Sequence, residues 1–211
     1  SGKIQDDINT SAEGRSFAAA RRKEILLGTN QYPNFGEKVN HKFEETHNLL
    51  DECVCGEEKD TPLKRLNTRR LAEPYEELRL ATERSGKTPK VFMLTIGNLA
   101  MRLARSQFSG NFMASAGYEI IDNLGFETVE EGMKEAREKN ADIIVLCSSD
   151  DEYEKFAPEA YKLIKGKEIF VVAGAPKCTD DLKEQGIEYF INVRSNVLEM
   201  LTEFNSRLGI K

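Results

Sequence analysis

The sequence is short of several things that would otherwise point to a function. No apolar run approaches the roughly 20 residues a membrane-spanning helix needs, and Ser1 to Thr10 is polar and acidic, so no secretory leader is expected there. Basic residues are not in surplus: 30 Lys and Arg face 36 Asp and Glu, a formal charge of −6, which argues against a partner held by phosphate neutralisation, such as a nucleic acid. Four cysteines in 211 residues make no disulfide framework, and a reducing cytoplasm is the simplest expectation. Histidine is scarcest of the chemically useful residues, with only His41 and His47.

What is present divides at Ser85-Gly86-Lys87-Thr88-Pro89, a turn-rich stretch. Residues 1–88 form an irregular part. A helix is expected from Ile4 to Lys23 around Ile8, Ala12 and Phe17, although Gly14 weakens it. Ile25 to Pro33 reads as a lone extended segment with no neighbour to pair with. From Asn34 to Pro62 there is no periodicity and much charge, as in an extended arm. A second helix is expected over Thr68–Arg84, with Leu71, Tyr75, Leu78 and Ala81 on one face. These pieces bury little against one another, which implies a partner or a further domain.

Residues 89–211 alternate regularly. The apolar runs Val91–Leu94, Tyr118–Ile121, Ile143–Cys147, Ile169–Val172 and Tyr189–Ile191 are each followed by an amphipathic helical pattern, the last with Ser195 as its expected N-cap. Continuous β-branched runs joined by single helices specify strands buried on both faces and linked by right-handed crossovers. The fold class is therefore α/β: a flavodoxin-like, Rossmann-like five-stranded parallel sheet in the order 2-1-3-4-5. Its ligand edge would lie at Thr95–Asn98 and Cys147–Asp151.

The usual tenants of that edge are poorly served. Only Gly97 follows the first strand, so neither the dinucleotide fingerprint nor the Walker loop is present. A phosphoaspartate receiver needs clustered carboxylates, but the first strand ends without one; Asp150 and Asp151 are expected to cap a helix. His41, His47, Cys53 and Cys55 could together hold zinc, yet their spacing matches no standard knuckle. Cys147 and Cys178 lie near strand ends with no histidine as base, as small buried thiols do. Lys64, Arg65, Arg69 and Arg70 form a basic cluster suited to a solvated helix entry or an acidic partner surface.

Five stretches carry a resemblance. Pro89–Gly97, the run Arg-Leu-Ala-Arg-Ser-Gln-Phe-Ser-Gly-Asn-Phe from Arg102 and Ala173-Gly174-Ala175 resemble the cobalamin-type domain of methylmalonyl-CoA mutase. The Arg102 run and the helix at Arg69–Arg79 are similar to the non-catalytic small subunits of two-subunit bacterial mutases, and Arg21–Asn30 resembles the family's exit from a TIM barrel. The resemblance implies that residues 1–88 are a linker arm after a barrel and 89–211 a cobalamin-binding-like domain. It also implies a heterodimer with a large catalytic subunit that holds adenosylcobalamin. In catalytic members a loop Asp-x-His-x-x-Gly supplies the cobalt-binding histidine. Its three positions fall here on Leu99, Met101 and Ala104. The family's Ser-x-Leu becomes Ser148-Ser149-Asp150 and its paired glycines become Ala173-Gly174. Met101 is expected to pack in the core with Ala104, Phe108 and Phe112. The expectation is a structural chain with no catalytic, cofactor-binding or metal-binding residues. A cobalamin module using another ligand and a receiver-like sensor stand as alternatives.

Overall fold

The structure, a computed structural model, describes residues 2–38 and 70–210. Helix α1 spans Lys3–Ala20 and α2 spans Glu73–Arg84. There follow β1 (Lys90–Thr95), α3 (Leu99–Ala114), β2 (Glu119–Ile121), α4 (Val129–Glu138), β3 (Ile143–Cys147), α5 (Tyr153–Lys162), β4 (Ile169–Ala173), α6 (Thr179–Glu184), β5 (Tyr189–Ile191) and α7 (Val197–Arg207). The five strands pair parallel in the order β2-β1-β3-β4-β5, as the sequence predicts.

The apolar strand runs feed two cores because successive side chains leave opposite faces of a strand. Val91, Met93, Ile143, Val145 and Val171 meet Phe112, Met113, Tyr75, Leu78, Leu201 and Phe204 on one side. Phe92, Leu94, Ile144, Leu146 and Val172 meet Met133, Ala136, Tyr153, Ala157 and Leu182 on the other. Helix α2 thus joins the first core through Tyr75 and Leu78. It is tied to α7 by the buried Asn205, whose Oδ1 accepts from Tyr118 Oη at 2.7 Å and whose Nδ2 donates to Leu78 O at 3.4 Å.

Local chemistry starts the helices. Asn98 caps α3 by accepting from Met101 N at 3.1 Å, and Thr128 caps α4 by accepting from Glu131 N. Asn196, rather than Ser195, caps α7: its Oδ1 accepts from Glu199 N while its Nδ2 donates to Glu199 Oε2. Ser195 instead accepts from Asn192 N at 3.0 Å in the preceding turn.

Two expectations are corrected. Ile25 to Pro33 is not extended but a compact turn around Asn30, which is fully buried. Its Nδ2 donates to Ala19 O and Glu24 O, and its Oδ1 accepts from Leu26 N at 2.8 Å. Met101 is not a core residue, being 36 % exposed, and Ala104 is exposed too. The buried side of α3 consists of Ser106, Ser109, Gly110, Phe112, Met113 and Ala114. Of the expected face, Phe112 is buried and Phe108 packs against the core, so the apolar spacing holds over the later turns and fails at the first, where Leu99, Met101 and Leu103 are exposed. Helix α1 forms as expected, yet Ile4, Ile8 and Phe17 face solvent. No helix among the described residues is long and apolar enough to cross a membrane.

Candidate functional site

The topology places the candidate site at the carboxyl ends of β1 and β3, where the connections leave in opposite directions and an open parallel sheet forms its crevice. In this chain the crevice is stitched shut by one carboxylate. Glu152 Oε2 accepts from Ser148 Oγ at 2.7 Å, Ser149 Oγ at 2.6 Å, Ser149 N at 3.2 Å and Asn98 N at 3.1 Å. The first three donors belong to the loop after β3 and the fourth to the loop after β1. Burial pushes the Glu152 carboxyl upward, but the hydroxyls of Ser149 and Ser148 and the amides of Asn98 and Ser149 outweigh it and hold the group at about 2.

The turn that admits this carboxylate depends on Gly97. Its φ is +78°, and a Cβ there would overlap the Glu152 carboxylate. Next to it, Arg105 reaches across from α3 and its Nη2 donates to Asp150 Oδ1 at 3.0 Å. Tyr153, fully buried, accepts from Ser148 N at 3.1 Å and donates to Ala173 O, tying the ends of β3 and β4 together. Asp150 Oδ1 and Tyr153 Cε2 each lie 3.0 Å from the point where Gly174 would carry a Cβ. On the outer side, Arg102 donates from Nη2 to Leu124 O at 2.9 Å and from Nη1 to Gly97 O.

Asp150 therefore does not cap α5 as expected; it pairs with Arg105, and Asp151 is exposed. Glu152 holds the N-cap position of α5 but its side chain makes no capping bond to the helix; instead the carboxylate reaches back to the amide and hydroxyl of Ser149. The pattern Ser149-x-x-Glu152 was the signal for it. Arg105 and Tyr153 had no comparable signal, since their roles arise from contacts between loops distant in sequence.

Three sets of curated relatives match the chain. It is 54 % identical over 208 residues to the methylmalonyl-CoA mutase small subunit of Porphyromonas gingivalis, covering 99 % of this chain and 33 % of that protein. A probable methylmalonyl-CoA mutase small subunit of Mycobacterium tuberculosis is 27 % identical over 212 residues, 98 % of this chain and 31 % of that protein. The Streptomyces virginiae small subunit is 26 % identical over 218 residues, 100 % of this chain and 32 % of that protein. This chain is a homologue of methylmalonyl-CoA mutase small subunits. It spans about a third of the length of the curated relatives it matches. No family model matches it.

Leu99, Met101 and Ala104, the positions that the sequence resemblance sets against the cobalt-binding pattern, lie together on the first turns of α3, at the sheet edge. Leu99 is 60 % exposed, Met101 36 % and Leu103 48 %, and Leu124 stands almost free at 95 %. The edge is thus apolar on its rim and charged in its floor. Its one thiol, Cys147, is fully buried, and burial raises its pKa to about 12, so it offers no thiolate. No group of three metal-ligating side chains occurs among the described residues. The candidate zinc residues His41, His47, Cys53 and Cys55 lie outside the described residues, as do Lys64, Arg65 and Arg69 of the basic cluster. Arg70, the described member of that cluster, pairs with Glu76. Cys178 is half-buried at the start of α6.

Proposed function

We propose that this chain is the C-terminal part of a non-catalytic small subunit of methylmalonyl-CoA mutase. Residues 1–88 serve as the arm that follows a barrel and 89–211 as a degenerate cobalamin-binding-like domain. The complete cytoplasmic complex is then a heterodimer. Its large catalytic subunit holds adenosylcobalamin and interconverts methylmalonyl-CoA and succinyl-CoA, an isomerase reaction. This chain supplies no catalytic, cofactor-binding or metal-binding residue; its task is to stabilise the assembly.

One observation carries the reading: Glu152 bridges the two loops of the switch-point crevice, while the adjoining turn offers Leu99 and Met101 instead of a carboxylate-supported imidazole. The residues present do not fit a corrinoid. An axial nitrogen donor with a hydrogen-bonded carboxylate behind it is the usual arrangement for tuning such a metal, and neither partner is here. Tyr153, Arg105 and Asp150 crowd the space beside Gly174. A contact role is supported by the apolar groups left in water: Ile4, Ile8 and Phe17 on α1, and Leu99, Leu103 and Leu124 at the sheet edge.

Titration of the chain with cobalamin tests the first part: the corrinoid's visible spectrum is expected to stay as in buffer, and a protein-dependent shift would overturn it. Size-exclusion chromatography of the full-length small subunit with the large subunit tests the second. A single heterodimer peak is expected; separate elution rules out docking.

A further inference from the structure

A second site, away from the Glu152 crevice, lies at the far end of the same sheet edge. A cavity of about 320 Å³ opens between the turn after α1 and the loop joining β5 to α7. That volume is at the lower end of the range for small-molecule pockets. Its polar lining comes from Arg21, Arg22, Gln31, Asn192 and Ser195, and among the described residues no acidic one lines it, although the chain as a whole carries a net charge of −6.

Arg22 is the residue to explain. It follows the end of α1 with φ +56°, a left-handed conformation that a side-chain-bearing residue rarely adopts, and this turns its side chain inward. Its guanidinium lies 5.2 Å from the centre of the Phe108 ring, and its Nη2 donates to Gln31 Oε1. Its Nη1 is buried and has no hydrogen-bond partner among the described residues. No described carboxylate pairs with it, and burial lowers its pKa. Arg22 is half-buried, and a guanidinium nitrogen buried without an acceptor among the described residues is unfavourable unless something supplies one.

The surroundings are arranged to receive a negative group. Arg21 packs its guanidinium on Phe17 at 3.7 Å and pairs with no described acid, so a second cation borders the cavity. Asn192 uses Oδ1 to accept from Arg194 N, leaving its Nδ2 as a donor. Val197, the first residue of the eleven-residue helix α7, also lines the cavity, so the positive end of that helix's dipole faces it. Two cations, an amide donor and a helix N-terminus converge on one hollow with no described carboxylate.

We infer that this cavity binds an oxyanion of the phosphate class, either as the free ion or as the phosphoryl group of a small molecule. The bound oxyanion accepts from Arg22 and Asn192 and neutralises the Arg21–Arg22 pair. A hollow of this size between a turn and a helix end favours a small molecule over the acidic side chain of a partner protein.

Thermal unfolding of the chain tests this, with inorganic phosphate, glycerol 3-phosphate and a poly-glutamate peptide compared with chloride at matched ionic strength. At 20 mM phosphate the melting temperature is expected to rise by about 3 °C above the chloride control. Arg22→Asn keeps a residue that tolerates positive φ, and Asn192→Asp keeps the acceptor for Arg194 N while placing a negative charge in the hollow. Both are expected to lose the phosphate response, whereas Arg194→Gln, which does not line the cavity, retains it. A larger response to glycerol 3-phosphate than to phosphate assigns the site to an esterified phosphoryl group, and equal responses assign it to the free ion. The inference is overturned if neither small anion stabilises beyond chloride or if only poly-glutamate does. It also fails if Asn192→Asp responds like the parent.

Discussion

The Glu152 carboxylate fills the place where Gly97 would carry a side chain. The two residues are thus complementary halves of one staple, and replacing either should be felt at the other. Gly97→Ala is expected to destabilise the chain by about 2 kcal/mol, part from the left-handed backbone and part from displacing the carboxylate from its donors. In a Glu152→Ala background the second part is already lost, so the same substitution should cost only about 1 kcal/mol. Urea unfolding of the four proteins measures the coupling. Strict additivity would show that the overlap relaxes without loss.

The same staple sets an acid limit. Glu152 is held at about 2 in the folded chain against an ordinary value of 4.5. Because the folded value is the lower one, its contribution is complete above pH 4.5 and fades as pH falls toward 2. Allowing for solvent screening, the contribution at pH 7 is roughly 1–2 kcal/mol. Glu152→Gln is therefore expected to be less stable than the parent at neutral pH, with the gap narrowing between pH 4.5 and 2. A constant gap across that window would mean that the carboxylate's charge plays no part.

These relationships mark where the sequence was legible. Ile143–Cys147 and Ile169–Val172 announce buried parallel strands because every side chain in them is apolar, and the resulting topology locates the crevice without further information. Helix α3 is harder: its inner face presents Ser106, Ser109 and Gly110, while Leu99, Met101 and Leu103 stay in water. Periodicity rewards apolar spacing; it finds Phe112 but not the small residues beside it, and it misplaces Met101. Asn30 is invisible for another reason. A short polar side chain that gathers two carbonyls and an amide makes a turn from residues that otherwise suggest an extended segment.

Asn205 offers a test of how α2 is fastened to the sheet domain. Its Oδ1 takes the Tyr118 hydroxyl at 2.7 Å, and its Nδ2 donates toward Leu78 O and, at 3.3 Å, Thr82 Oγ1. Every partner is buried. Asn205→Leu leaves the Tyr118 hydroxyl only its long contact to Leu201 O at 3.4 Å and is expected to cost about 2–3 kcal/mol, and adding Tyr118→Phe should recover about 1 kcal/mol of that. Urea unfolding of the single and double variants decides it. If Tyr118→Phe deepens the loss instead, the bond to Leu201 O tightens enough to satisfy the hydroxyl once Asn205 is gone.

Cys147 separates a structural thiol from a reactive one. It lies fully buried at the end of β3, its sulfur 4.0 Å from Ser109 Oγ, and burial lifts its pKa to about 12. Such a thiol stays protonated at pH 8, and the sheet shields it from reagents. Iodoacetamide is therefore expected to leave the Cys147 peptide unmodified in the native chain and to label it fully in urea, with mass spectrometry locating the adduct. Half-buried Cys178 serves as the internal comparison and should label faster. Native labelling of Cys147 at the rate of Cys178 would mean that the crevice opens far enough to expose the strand end. The Glu152 staple would then be a gate rather than a closure, and the case against a ligand in the crevice would fail with it.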